Sequence, residues 1–148
     1  LFGGRVQFHK GAHFRSGFHI TVEKAAKIEI GEKCFFNNQC GIHAMRSIRI
    51  GRRCLFGEHV EIYDHNHRFR DLSLPIVEQG FRSTEVTIGD DCWIGSNVMI
   101  LPGASIGSRC VISAGCVIDE TIPPNTLVRL VQEKTCTLIQ SAPPESHS

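Results

Sequence analysis

The most constraining feature of this sequence is an apolar residue that recurs at every sixth position. Residues 88–117 divide into five consecutive blocks, IGDDCW, IGSNVM, ILPGAS, IGSRCV and ISAGCV, and each block opens with Ile. The same interval extends upstream to Phe8 and downstream to Ile118, with a break at 63–85. A repeat of six residues is typical of a β-helix, in which each short strand forms one side of a coil.

Neither a helix nor an ordinary sandwich explains this period. On an α-helix a step of six residues rotates by about 600°, which would distribute the isoleucines around every face. The 14 glycines and the scattered β-branched residues also disfavour a helix. A sandwich of antiparallel strands would instead show alternating apolar residues with turns every 8–12 positions or so.

The hexads predict an all-β fold, a single-stranded parallel β-helix with a triangular section. Three hexads would close one coil, and coils would stack at the interstrand spacing of about 4.8 Å. The leading Ile or Phe would point inward, and the fifth residue would be small because it lies near a tight corner. We predict one β-helix domain over residues 1–139, with the loop 63–85 inserted, and a flexible, Pro-rich tail at 140–148.

Six of the seven cysteines are predicted to be packing residues. They occupy the fifth place of a hexad, where a free thiol behaves as a small hydrophobe: Cys34, Cys40, Cys54, Cys92, Cys110 and Cys116. No CxxC pair suggests a metal site, and only Cys136 lies outside the pattern. Unpaired cysteines favour a reducing compartment, so we expect a cytoplasmic protein.

The charge balance excludes several partners. The chain has 16 basic and 15 acidic residues and a formal charge of +1, which gives no electrostatic attraction to nucleic acid or to an anionic membrane. No apolar run approaches the roughly 20 residues of a membrane span, and no signal-peptide pattern opens the chain as given. We therefore expect no nucleic-acid partner and no membrane insertion.

Three segments carry a resemblance to a known family. IGDDCWIGSNVMILPGASIG, VISAGCVI with a following IPPN, and YDHNHRF in the break resemble the hexapeptide-repeat, left-handed β-helix acyltransferases. Within that family the chain is similar to the maltose, galactoside and polysaccharide O-acetyltransferases over residues 28–126. The resemblance implies acetyl-CoA as co-substrate, a sugar hydroxyl as acceptor, a homotrimer with shared sites, and no metal.

The break at 63–85 is the expected position of the chemistry. Long loops in repeat proteins are commonly functional, and the apolar residues from Leu72 to Phe81 predict an ordered one. Acyl transfer to a hydroxyl needs a general base, and histidine suits this role near neutral pH. A gap-free count places His67 at the catalytic histidine of the relatives, with His65 as the alternative base. Two solvated loop histidines are the third possibility.

The resemblance also implies binding residues. Asn37, Asp64 and Trp93 would contact the acceptor, with Asn37 lying 30 residues before His67 as in the sugar-acetylating relatives. Asn37 could equally be a corner residue, since Asn tolerates tight turns, and Trp93 could serve packing alone. The residues expected beside coenzyme A are Trp93, Ser96, Ser113, Ala114 and Arg129.

Two positions depart from the family pattern. Asp119 and Glu120 precede IPP, where relatives often have Thr-Lys, and two acids there would repel coenzyme A phosphates unless they point away. TLVRLVQEKTCTLI follows PPN in place of a small-residue turn and a basic helix. Arg129 and Lys134 remain as candidate phosphate contacts.

Two other functions stay open at this point. The γ-class carbonic anhydrases share the β-helix and bind zinc through three histidines, and the chain offers His43, His59, His65 and His67 as ligands. The altered C-terminal segment is instead compatible with a non-catalytic β-helix scaffold.

Overall fold

A three-sided stack of short strands, with one projecting arm, makes up the fold. The structure, a computed structural model, describes residues 3–140. Its strands are β1 (Arg5–Phe8), β2 (His13–Phe14), β3 (His19–Val22), β4 (Lys27–Ile30), β5 (Phe35–Phe36), β6 (Gly41–Ala44), β7 (Ser47–Ile50), β8 (Leu55–Phe56), β9 (Glu61–Tyr63), β10 (His65–His67), β11 (Phe81–Ser83), β12 (Val86–Ile88), β13 (Trp93–Ile94), β14 (Met99–Ile100), β15 (Ser105–Ile106), β16 (Val111–Ile112), β17 (Val117–Ile118), β18 (Thr121–Ile122) and β19 (Leu127–Val128). A short 3-10 helix, η1, spans Ile76–Glu78.

Three parallel sheets form the sides of the prism. The first sheet has the order β1-β4-β7-β12-β15-β18, the second β19-β16-β13-β8-β5-β2, and the third β17-β14-β9-β6-β3. Ile88 pairs with Ile106, so this coil takes 18 residues, or three hexads, as predicted. Ile30 pairs with Ile50 at an interval of 20, and Ile106 with Ile122 at 16. Coil length therefore varies along the stack.

The hexad residues form the core. From Ile30 onward every leading Ile or Phe of the pattern, through Ile118, is buried. The rings of Phe36 and Phe56 stack inside the prism with centroids 4.2 Å apart and planes 5° apart. This ladder removes one large apolar side chain per coil side from water, which is the main stabilising contribution to such a fold.

The corners explain why the fifth hexad residue is small. A non-glycine residue with positive φ precedes the buried one, for example Arg53 at 57° before Cys54 and Arg109 at 60° before Cys110. This left-handed turn directs the next side chain into the narrow corner of the prism. All six hexad cysteines are buried and free, and Cys136 is exposed. Their predicted role in packing is confirmed.

The first 27 residues contain one full coil, made of β1, β2 and β3. Its inward residues are less buried than those of later coils: Phe8 is 49% exposed, and Phe14 and Ile20 are half-buried. No further coil of the described residues covers them. Except for Gln140, the tail predicted at 140–148 lies outside the described residues. None of the described helices has the length and apolar character needed to traverse a bilayer.

Candidate active site

The break in the hexads is an ordered arm. Strand β10 pairs antiparallel with β11, with His65 opposite Ser83 and His67 opposite Phe81. At the tip, the Gln79 side chain donates to the carbonyls of Asp71 and Leu74 and accepts from the Asp71 N–H. These bonds satisfy backbone groups of a segment that has no strand partner. The arm is thus a β-hairpin with a tied tip, as the apolar residues of the loop predicted.

The base of the arm is held by Asp64. This residue is completely buried, and its carboxylate accepts the backbone N–H groups of Met45, Arg46 and Ser47 at 2.7–2.8 Å. Charge-assisted bonds of this kind fix both partners. They fasten the start of the arm to the corner of the preceding coil. Asp64 has no exposed atom to offer the acceptor contact that the sequence suggested, and it acts instead as an anchor.

His65 is oriented by the same carboxylate. Its Nδ1 lies 3.0 Å from Oδ1 of Asp64, and the imidazole is mostly buried. Since an ionised carboxylate can only accept, Nδ1–H is the donor and the lone pair resides on Nε2. The ring edges of Tyr63 and Phe81 lie on either side of this imidazole. His65 is therefore a fixed, single-tautomer imidazole at the root of the arm.

His67 is the accessible histidine of the arm. Strand alternation places it on the same face of the hairpin as His65, and it is exposed. Its ring packs on Phe81 with centroids 4.4 Å apart, which shields one side and leaves the nitrogens free of hydrogen bonds to other described residues. This imidazole can accept a proton from a molecule that enters beside the arm.

Two cavities meet at His67. The smaller, of about 350 Å³, lies between the arm and the third sheet and is lined by Tyr63, His65, Asn66, His67, Phe81, Met99 and Leu101. The larger, of about 690 Å³, lies along the arm and is lined by polar residues including Arg68, Arg70, Asp71, Glu78 and Arg82. Together they offer an apolar slot and a hydrogen-bonding surface on either side of one imidazole. Sequence reasoning missed Tyr63, Met99 and Leu101, which the hexad register alone would have placed on the outer face.

Tyr63 borders the smaller cavity as a neutral phenol. Partial burial first, and then the negative charge of Glu61, raise the pKa of Tyr63 above its ordinary value. Its ring stacks on His43 with centroids 4.5 Å apart and planes 12° apart. The phenol O–H is thus available as a hydrogen-bond donor throughout the neutral range.

The remaining candidate residues lie elsewhere on the prism. Trp93 is on the outer surface of the second sheet, 58% exposed, between Leu55 and Val111. Asn37 follows β5 in the same sheet, and its Oδ1 accepts the Asn38 N–H as expected of a corner residue. Arg129, just after β19, is exposed at the end of this sheet.

The three small residues expected beside coenzyme A share one corner. Ser96 and the Ser113–Ala114 pair lie on successive coils, between the second and third sheets. The Gly115 N–H donates to the Ser96 carbonyl, and the Ser96 hydroxyl accepts the Glu58 N–H. Gly95 beside them leaves no space for a Cβ against the Ala114 backbone. The corner is consequently a smooth edge on which mostly backbone groups are presented.

A single chain does not unite these two groups. His65 and His67 lie on the arm between the third and first sheets, whereas Trp93, Asn37 and Arg129 belong to the second sheet. The arm also exposes large apolar side chains: Phe69, Leu72, Leu74, Ile76, Val77 and Phe81. Exposed apolar surface of this extent is typical of an interface.

The histidines considered as zinc ligands are not brought together. Of His43, His59, His65 and His67, only His43 belongs to a group of potential ligands in residues 3–140, and its companions are His19 and Glu61. His59 is a corner residue with φ of 55°. The geometry of this chain therefore gives no support to the set of ligands named from the sequence.

Comparison with known proteins identifies the family. The model of the bacterial transferase hexapeptide (six repeats) matches residues 85–120. WbbJ of Escherichia coli K12, named as a lipopolysaccharide biosynthesis O-acetyl transferase, is 33% identical over 140 residues, which are 88% of this chain and 70% of that protein. The chain belongs to the hexapeptide-repeat acyltransferases.

Solved structures of hexapeptide-repeat acyltransferases agree with this assignment. A hexapeptide-repeat acetyltransferase of Vibrio cholerae complexed with acetyl coenzyme A superposes with a TM-score of 0.66 at 31% identity, covering 80% of this chain and 65% of that one. Galactoside acetyltransferase in complex with coenzyme A gives a TM-score of 0.65 at 28% identity, with coverage of 82% and 58%. The predicted left-handed β-helix is confirmed. The chain spans less than two thirds of these solved relatives.

Proposed function

We propose that this chain is an O-acetyltransferase that moves an acetyl group from acetyl-CoA to a hydroxyl of a sugar or polysaccharide precursor. The observation that carries the proposal is the exposed imidazole of His67 between two cavities, in a chain of this family. Solved relatives hold acetyl coenzyme A or coenzyme A. The relatives named for lipopolysaccharide and galactoside O-acetyl transfer support a sugar acceptor.

His67 is the general base in this proposal. Its neutral imidazole removes the proton as the acceptor hydroxyl oxygen attacks the thioester carbonyl carbon. The tetrahedral intermediate carries its negative charge on the former carbonyl oxygen, which backbone N–H donors stabilise. The C–S bond then breaks, and the imidazolium returns the proton to the departing coenzyme A thiolate. The transfer is direct, within a ternary complex.

His65 and Asp64 support this chemistry without taking the proton. The Asp64 carboxylate holds the His65 ring, and that ring contacts Phe81, on which His67 packs. The hexad cysteines are buried; burial raises the pKa of the Cys40 thiol, so it remains protonated. An acyl-enzyme on these thiols is therefore disfavoured, and the unpaired thiols fit a cytoplasmic location.

The active form in this proposal is a homotrimer. The arm with His67 and the second-sheet residues Trp93 and Arg129 are on different sides of one prism, so a site that uses both needs a second chain. The exposed apolar residues of the arm supply a surface for that contact. Asn37 and the corner at Ser96 then face the His67 of the neighbour.

The test uses purified full chain, acetyl-CoA and a panel of sugars, with released thiol as the readout. His67→Ala should lower the transfer rate about 10²–10⁴-fold, the usual contribution of a general base, with an unchanged melting temperature. His9→Ala, on the first sheet, is the matched control and should retain full activity. Unchanged transfer by His67→Ala would refute the base assignment. Coenzyme binding with no transfer to any acceptor would indicate the scaffold alternative.

A further inference from the structure

Three potential metal ligands converge on the outer surface of the third sheet. His19, His43 and Glu61 come from β3, β6 and β9, which are consecutive in this sheet. His43 Nε2 lies 2.9 Å from one carboxylate oxygen of Glu61, and His19 Nε2 lies 3.6 Å from the other. A tetrahedral ion with bonds of about 2.0–2.1 Å separates its donor atoms by roughly 3.4 Å, so these distances bracket the required spacing.

A glycine provides the space in which the ligands meet. Gly41 pairs with both His19 and Glu61, on the strand that carries His43. A Cβ at this position would overlap Glu61 Oε2 and His19 Nε2 and would lie 2.8 Å from His43 Nε2. The three donor atoms therefore occupy the volume that any other residue at 41 would fill.

The tautomer of His19 is fixed in the sense that a metal requires. Its Nδ1 lies 2.9 Å from the carbonyl oxygen of Gly17, which can only accept, so Nδ1–H is the donor. The lone pair then resides on Nε2, the atom that faces Glu61. A second-shell bond from the distal ring nitrogen to a backbone carbonyl is the usual arrangement of metal-ligating histidines.

We infer that His19, His43 and Glu61 bind one Zn²⁺ ion per chain. Two imidazoles and one carboxylate form a ligand set that suits zinc and leaves a fourth position for water. His19 is 48% exposed, so this position opens to solvent. The ion would link the first three coils through their third-sheet strands, where the inward residues of the first coil are least buried. It takes no part in the proton transfer at His67.

The chain contains an internal comparison. His9 Nε2 lies 3.1 Å from Glu29 on the first sheet, an exposed His–carboxylate pair without a second imidazole. If the third-sheet cluster were only a hydrogen-bonded pair of this kind, both would respond equally to zinc. A difference between the two therefore separates metal binding from ordinary ion pairing.

The experiment titrates metal-stripped, tag-free full chain with Zn²⁺ in a calorimeter and measures melting temperature with and without the ion. We expect one ion per chain and a zinc-dependent rise in melting temperature. His19→Ala and Glu61→Gln should each weaken binding at least tenfold, and His9→Ala should not change it. Co²⁺ should give the absorption of a tetrahedral N/O site in the wild type only.

Gly41→Ala is the decisive variant because it keeps all three ligands. Its methyl group would displace only the ends of flexible side chains, so the coil should fold, whereas zinc binding should fall at least tenfold. Binding equal in all variants, binding lost only in His9→Ala, or no heat and no thermal shift with the wild type would each overturn the inference. Acetyl transfer is not a readout here, so this result and that of His67→Ala are independent.

Discussion

The carboxylate of Asp64 contacts both the corner at 45–47 and the imidazole of His65, whose Nδ1 lies 3.0 Å away. Asp64 is the one fully buried charged residue among those described. One side chain therefore fastens the arm to the prism and sets the orientation of a histidine beside the proposed base. The position of the arm depends on this contact more than on any apolar packing of its own.

Replacement of Asp64 should loosen the arm and destabilise the chain. Asp64→Asn keeps the shape but turns one acceptor into a donor, which then faces backbone N–H groups in a buried place. We expect a loss of about 1–3 kcal/mol in the free energy of unfolding, measured by urea denaturation. Asp119→Asn, at an exposed position, should change stability little. Equal stability of both variants would contradict the anchoring role.

Tyr63 should titrate at an unusually high pH. It is the only tyrosine of the chain, so the near-ultraviolet absorbance of tyrosinate reports it directly. Burial and Glu61 raise its pKa above the ordinary value of about 10, and Glu61→Gln should lower the titration midpoint. Because the folded state holds this proton more tightly, its contribution to stability is present below about pH 10 and is lost as the pH rises further. A midpoint at or below 10 in the native chain would contradict the assigned environment.

The aromatic stack in the core should be sensitive to truncation. Phe56 is 1% exposed and stacks on Phe36, so Phe56→Ala leaves a cavity that the rigid coils cannot close. The expected cost is about 3–5 kcal/mol in the free energy of unfolding. Phe69→Ala, on the arm at 61% exposure, serves as control and should cost no more than about 0.5 kcal/mol. Chemical denaturation of the two variants provides the comparison.

The corners should prefer glycine to a β-branched residue. Arg53 has φ of 57°, a region that costs an L-residue about 1–2 kcal/mol. Arg53→Gly should therefore maintain or increase the melting temperature, and Arg53→Val should lower it. In an ordinary strand the order would be reversed, since glycine weakens strands. Differential scanning calorimetry of both variants decides the question.

Much of the fold could be read from local pattern. The interval of six between Ile88 and Ile118 predicted the coils, and the fifth-place cysteines predicted their own burial, because both depend on residues close in the chain. The position of the arm followed from the break in that interval. The roles of His67, Trp93 and Ser96 remain predictions for the activity assay.

The sequence by itself determined the period, and hence the prism, its corners and the inward side of each strand. The tertiary structure alone decided which outward side chains meet, because coil lengths of 16, 18 and 20 residues and the path of the arm set the register between neighbours. His19, His43 and Glu61 converge above Gly41 only through that register. The buried partners of Asp64 have the same origin, since contacts between coils join residues far apart in the chain.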